Sequence, residues 1–343
     1  MNIEELRKQI NQELTAFVAE KSAELSEIDP QLIPVADALK DFLSEGKRFR
    51  PIFALIGFVN AGGVLSPEIL KAAASLELLQ ASALIHDDLM DSSDSRRGKP
   101  SIHKLFAKEH GVNFGNSAAI IIGDLALVWS EEALNQSGIS IDALFNVNLI
   151  NSSMRSELMA GQFLDVFEQT QSDFSIERAL KIARYKSGKY SIERPLHFGA
   201  ALATPNNFKT YLEIFSDYGL PLGEAFQLRD DLLGVFGDPN ETGKPAGDDL
   251  REGKRTALIA YAYERGDTNC RELLKTKLGK DLNSDEINEI REAIIESGAV
   301  IHIEDLIEKL SESALDALDR DEIQYEAKSA LIQMVELVTK RTR

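Results

Sequence analysis

Residues 75–91 read SLELLQASALIHDDLMD, and this stretch decides how the rest of the chain is to be understood. Its apolar side chains recur at three- and four-residue spacing over a run longer than an ordinary strand, which marks a helix. The helix closes on Asp87-Asp88-Leu89-Met90-Asp91. Asp87 and Asp91 are an i,i+4 pair, so both carboxylates lie on one face, about 6 Å apart along the axis. Asp88 points to another face and is the poorer ligand. Two like charges at this spacing weaken a helix, unless Mg²⁺ stands between them and a phosphate. With 56 Asp and Glu among 343 residues such a triplet arises readily by chance, so alone it reads as a solvated helix end.

The neighbouring sequence gives the motif weight. Arg96-Arg97-Gly98 follows closely, and paired guanidinium forks match diphosphate oxygens. Upstream, Gly46-Lys47-Arg48-Phe49-Arg50-Pro51 sets a second cationic cluster before an apolar helix. Each alone is an ordinary surface ion pair; together they offer one site for each of two phosphorylated substrates. Farther on, Phe226-Gln227-Leu228-Arg229-Asp230-Asp231 forms a second acidic helix, with Gln227 and Asp230 on one face. The loop after it, 237–253, holds Lys244, Asp248 and Asp249, with Lys254 directly following, and a loop of that length in a compact domain is usually a lid or binding loop. Lys186-Ser187-Gly188-Lys189 interrupts a helical pattern with a glycine that costs ~1 kcal/mol and admits either a kink or the close approach of a ligand.

The same helical period runs through 69–91, 142–167, 176–198, 208–233 and 301–342, with short breaks at Asp29-Pro30, Gly62-Gly63, 96–100, Gly138 and 204–207. No strand–Gly-loop–helix unit, repeat or low-complexity boundary interrupts them. The expectation is one all-α domain over 1–343, a helical bundle with its sites between helices. Hydrophobic residues make up 43%, enough for a core, and the net charge of −18 argues against a nucleic-acid binder. The most apolar run, 117–129, contains Asp124 and falls short of the ~20 residues of a membrane span. The amphipathic start MNIEELRKQI has no apolar signal core, and the single Cys270 forms no internal disulfide; both point to a cytoplasmic protein.

Taken in order, GKRFRP, HDDLMD, RRG, KSG, FQLRDD and GK…GK resemble the trans-isoprenyl diphosphate synthase, or polyprenyl synthetase, family. The resemblance runs from about Gly46 to Lys254. It implies roughly a dozen helices around a deep central cavity, a homodimer, and head-to-tail condensation of isopentenyl diphosphate with an allylic diphosphate. By position, Asp87, Asp91 and Asp230 resemble the family's Mg²⁺ ligands, with three ions implied. Lys47, Arg50, Arg97 and Gln80 resemble its isopentenyl diphosphate site. Arg96, Lys186, Ser187, Gln227, Lys244 and Lys254 resemble its allylic diphosphate site. One position departs: the second motif, often Asp-Asp-x-x-Asp, ends here in Gly234, with water or Asp238 as the available substitutes.

The implied chemistry needs the leaving diphosphate neutralised by Mg²⁺, Arg96, Lys186 and Lys244, and a dry apolar cavity around the allylic cation. No protein base is evident, and the resemblance implies that the departing diphosphate takes the proton; the lone His86 reads as structural. Product length is set by depth below Asp87. Ala83 and Ser82 are small, Leu79 lies about 12 Å down the helix, and a product longer than C15 follows, with C20 geranylgeranyl diphosphate expected. A C25 or longer product requires a floor from other helices, such as 117–121 or 154–158. A class I terpene cyclase fits poorly with GKRFRP and the second Asp pair. A non-catalytic subunit fits poorly with both Asp motifs being present.

Overall fold

The computed structural model describes residues 1–239 and 247–340. Helices begin where local chemistry starts them. At the head of α1 (Ile3–Ile28), Asn2 accepts the Glu5 N–H at 3.1 Å. α2 (Ile33–Leu43) and α3 (Phe49–Asn60) lead to α4 (Pro67–Met90), whose first turn tolerates Pro67 because an N–H there has no helical acceptor. α5 (Ile102–His110) and α6 (Val112–Asn135) follow, and Ser140 caps α7 (Ile141–Glu168). Among the described residues the sole strand pairing is a hairpin of Ser95–Arg96 with Lys99–Pro100.

The span 176–198, expected as one helix, is three segments: α8 (Ile176–Ile182), a π-helical stretch (Ala183–Glu193) and α9 (Arg194–Ala203). The wide π turns are pressed between α7 and α10 (Lys209–Phe236). A Cβ at Gly161 would stand 2.4 Å from the Lys186 nitrogen, and one at Gly223 would stand 2.5 Å from the Gly188 Cα. Gly188 therefore abuts a neighbouring backbone and does not admit a ligand. Such π insertions gather at functional sites, because an extra residue per turn re-aims side chains.

The loop 237–253 contains a short helix, α11 (Asp248–Glu252), followed by α12 (Ala257–Arg265), α13 (Thr268–Lys277) and α14 (Ser284–Glu296). The span 301–342 is also divided, into α15 (Ala299–Asp316) and α16 (Tyr325–Thr339). The apolar period hid that break because Leu318 and Ile323 stay buried while the chain turns between the helices.

Two apolar clusters flank α10. The larger joins α1, α3, α4, α6, α7, α9 and α16 to the N-terminal half of α10, around Phe53, Phe198, Phe215 and Tyr218. The smaller joins Leu228, Leu232 and Val235 at its C-terminal half to α12–α15. Among the described residues one helix, α6, is long and apolar enough to cross a bilayer by length and composition; here it packs along α4 and α5.

Candidate active site

A cavity of about 1240 Å³ opens among α3, α4, α7, the π stretch and α10. Its wall carries most of the residues singled out from the sequence: Lys47, Arg50, Gln80, Ala83, Asp87, Arg96, Arg97, Lys186, Ser187, Gln227, Asp230 and Lys254. Lys244 lies outside the described residues. Of the three non-glycine residues with left-handed φ among those described, Arg48 (57°), Ser92 (57°) and Arg97 (52°), Arg48 and Arg97 border this cavity. Such conformations persist only where surrounding structure imposes them.

On one side stand the GKRFRP cations. Arg48 turns inward and is consumed by structure: its guanidinium donates to Asn11 Oδ1 at 2.8 Å and to Glu77 Oε2 at 2.9 Å. Lys47 and Arg50 are left on the cavity wall. Arg50 lies 4.1 Å from the centroid of the Tyr190 ring and donates to Ser191 Oγ at 2.6 Å. The Tyr190 hydroxyl in turn donates to Gln80 Oε1. Arg97 is steadied by the Glu45 carbonyl at 2.5 Å.

On the other side the first acidic motif meets the π stretch. Lys186 Nζ is 2.9 Å from Asp87 Oδ1 and 2.6 Å from Asp165 Oδ2, and Gln162 donates to Asp87 Oδ1 at 2.9 Å. Burial opposes ionisation of Asp87, but Lys186, Lys254 and Arg96 outweigh it and hold the carboxyl well below its usual range. Arg96 grips the buried Asp88 through Nε and Nη2, with Nη2 to Oδ1 at 2.6 Å, and stands 3.7 Å from Asp87. Asp88 is thus the group that orients Arg96.

Asp91 is not on the cavity surface; its side chain is 1% exposed behind Lys254, whose Nζ is 2.9 Å from Oδ2. Burial pushes the Asp91 carboxyl up to about 6, helped by repulsion from Asp87 and opposed by Lys254. Among the described residues neither Asp91 oxygen receives a well-aligned hydrogen bond. A buried carboxylate in that condition fits a hard cation. Among the described residues no three acidic, His or Cys side chains converge to hold a metal by themselves.

On α10, Gln227 donates to Asp231 Oδ1 at 2.8 Å. Burial raises the Asp231 carboxyl to about 8; the Gln227 bond opposes this, and Asp249 and Asp230 add repulsion. At the position where the second motif lacks an acid, a Cβ on Gly234 would stand 1.9 Å from Asp249 Oδ2. The carboxylate beside Gly234 therefore comes from α11.

Two of the residues expected to set product length are not on the cavity wall. Ser82 (4% exposed) and Leu79 (2%) are buried in helix packing and do not line the cavity, whereas Ala83 and Leu84 do. At 100° per residue Ser82 is turned about 140° and Leu79 about 80° from Asp87, while Ala83 is within about 40°. Access to the cavity depends on helical angle as well as on distance along the axis. His86, off the cavity, packs on α6 with Nε2 3.2 Å from the Ile120 carbonyl, consistent with a structural role. Gln162, Asp165 and Tyr190 were not singled out from the sequence. The i,i+3 polar pair Gln162/Asp165 in the apolar-patterned α7 was the available signal.

A family model described as polyprenyl synthetase matches residues 34–294. The chain is 30% identical over 303 residues to a geranylfarnesyl diphosphate synthase of Aeropyrum pernix, covering 87% of this chain and 91% of that one. It is 30% identical over 283 residues to a geranylgeranyl diphosphate synthase of Saccharolobus solfataricus, covering 81% and 80%. Among solved structures, a geranylgeranyl pyrophosphate synthase from Corynebacterium glutamicum, complexed with isoprenyl diphosphate and magnesium, is similar with a TM-score of 0.95. That pair is 38% identical and covers 99% of this chain and 100% of the other.

Proposed function

Because this chain belongs to the polyprenyl synthetase family, we propose that it condenses isopentenyl diphosphate with an allylic diphosphate to give an all-trans C20 product, geranylgeranyl diphosphate, releasing diphosphate. The observation that carries this reading is one cavity bearing two acidic motifs and two separate cation sets above an apolar wall. Lys47, Arg50 and Arg97 hold the diphosphate of isopentenyl diphosphate. Arg96, Lys186 and Lys254, with Ser187 and Gln227 beside them, take the allylic diphosphate. Asp87, Asp91 and Asp230 would hold Mg²⁺, with three ions in our reading. When bound, Mg²⁺ neutralises the charge growing on the leaving diphosphate.

The residues do the rest by position. Lys186 and Arg96 face the oxygens on which negative charge develops as the allylic C–O bond breaks, and the diphosphate leaves with the bonding pair. Ala83, Leu84, Leu158 and Phe226 give the allylic cation an apolar surround that keeps water from it. The alkene of isopentenyl diphosphate attacks that cation, a C–C bond forms, and the proton shed from the adduct goes to the departing diphosphate.

The C20 product is supported by the small Ala83 on the wall one turn below Asp87 and by the similarity to geranylgeranyl synthases. A homodimer is supported by apolar side chains left exposed along α7, among them Phe145 (65%) and Phe163 (69%), and by the exposed Ile121 on α6. A cytoplasmic location is supported by the single, buried Cys270. The test is incubation with Mg²⁺, labelled isopentenyl diphosphate and each of dimethylallyl, geranyl and farnesyl diphosphate. A discrete C20 product is expected. A longer product overturns the length assignment alone, and no elongation from any primer overturns the reading.

A further inference from the structure

The wall beside Lys47 and Arg97 is completed by the first helix of the chain: Glu4 and Arg7 of α1 line the same cavity. Packing fixes how α1 is turned. Ile3, Leu6, Ile10, Leu14 and Val18 are buried along it, and it rests on α2, α3 and α4. At 100° per residue Arg7 stands within about 40° of the buried Ile3 and of Asn11, so it leaves the helix on the inward side. Asn11, one turn on, is tied to the GKRFRP segment, its Oδ1 accepting the Arg48 Nε–H at 2.8 Å. Arg48 also donates to the Glu45 carbonyl at 3.2 Å, and that same carbonyl accepts from Arg97. The side of α1 that carries Arg7 is thereby held against the segment that carries Lys47.

Arg7 is equipped for an anion. Its Nη1 is 3.0 Å from Glu4, but that partner is 74% exposed, and an exposed ion pair is weak. Its Nε is buried and has no hydrogen-bond acceptor among the described residues. Arg50, already placed at the diphosphate of isopentenyl diphosphate, has a buried Nε in the same condition. A buried N–H without an acceptor is costly, and a diphosphate oxygen relieves that cost. The net charge of −18 adds to the need, since an acidic surface repels an anionic substrate unless cations stand where it enters.

We propose that Arg7 is a further binding residue for the diphosphate of isopentenyl diphosphate, so that α1 forms part of that site. The inference rests on the functional reading above. When the substrate enters, the Arg7 guanidinium exchanges the Glu4 carboxylate for diphosphate oxygens beside Lys47 and Arg97, which its forked donors match. The contact serves one substrate, because Lys186 stands with the first acidic motif on the other side of the cavity.

The test is calorimetry of the full chain with isopentenyl diphosphate alone, where no primer is present and nothing reacts. It is run beside KM for each substrate and the melting temperature. Arg7→Met keeps the apolar stem and removes the charge. It is expected to weaken isopentenyl diphosphate about tenfold, in calorimetry and in KM, with KM for geranyl diphosphate and the melting temperature unchanged. Arg7→Lys keeps the charge without the fork and is expected to recover part of the loss. Unchanged isopentenyl diphosphate binding in Arg7→Met overturns the proposal. An equal loss for both substrates, or a loss seen only with a lowered melting temperature, overturns it as well. A wild type that neither binds isopentenyl diphosphate nor condenses it overturns the functional reading instead.

Discussion

Lys186 Nζ sits 2.9 Å from Asp87 Oδ1 and 2.6 Å from Asp165 Oδ2, so one ammonium ties the π stretch to both α4 and α7. The three side chains are only 13–20% exposed, which makes the lysine a structural tie as well as a cation facing the cavity. The charges of Asp87 and Asp165 raise its affinity for a proton against the opposing effect of burial.

Lys186→Met therefore acts twice. Removing the ammonium leaves two carboxylates together and is expected to cost ~1–3 kcal/mol of stability, since both still open partly to the cavity. It also removes a donor from the leaving diphosphate, worth ~10²–10³ in kcat. Added Mg²⁺ should raise the melting temperature more in this variant than in the wild type, because the freed carboxylates gain a cation. A variant with wild-type kcat would remove Lys186 from the diphosphate site.

Ala83 and Ser82 are neighbours in sequence, yet only Ala83 lines the cavity. Ala83→Phe is expected to shorten the product to C15 or less with the fold preserved. Ser82→Phe overpacks a buried helix contact, costing ~1–3 kcal/mol in urea unfolding, and leaves product length unchanged. Product analysis and melting of the two variants check this. A shortened product from Ser82→Phe would restore the depth argument that ignored helical angle.

His197 is 2% exposed; Nε2 donates to the Leu212 carbonyl at 2.9 Å and Nδ1 faces Arg194 at 3.3 Å, an arrangement that suits the neutral ring. Burial lowers it to about 4, against the pull of Glu193. Its folded value lies below the ~6.5 of an unfolded chain, so between these values the unfolded chain binds more protons. The stabilising contribution is full above ~6.5 and falls away as pH drops toward 4, by roughly 3 kcal/mol in all. Urea unfolding at pH 7 and pH 5 should show His197→Gln losing less stability than the wild type. Equal losses would mean that other groups carry the acid sensitivity.

Phe145 and Phe163 stand exposed on α7 and are expected to be covered by a second copy. Sedimentation should give a dimer for the wild type and a folded monomer for the variant carrying Phe145→Glu and Phe163→Glu. A wild-type monomer at micromolar concentration would count against the interface.

Much of this molecule is legible along the chain. Helical period identifies the long helices, because a face that must be buried repeats every three or four residues wherever it lies. The Asp87/Asp91 pair, the paired arginines and Gln227/Asp230 are also local, since each depends on spacing within a few residues. Even so, period alone ran through the turn at Leu318 and Ile323, where buried side chains continue without a helix.

Residue spacing alone thus yields an all-helical chain carrying two acidic motifs and the cations that accompany them. Which of those groups meet is settled by how the helices pack. The π turns at Lys186 follow from backbones packed against Gly161 and Gly223, and no propensity of residues 183–193 announces them. Ser82 was excluded from the cavity by the rotation of α4 against its neighbours. Asp249 reached the niche at Gly234 through the packing of α11 on α10. Each is a contact between elements, fixed by the angle and distance at which whole helices pack, and such information is not contained in the spacing of residues along any one of them.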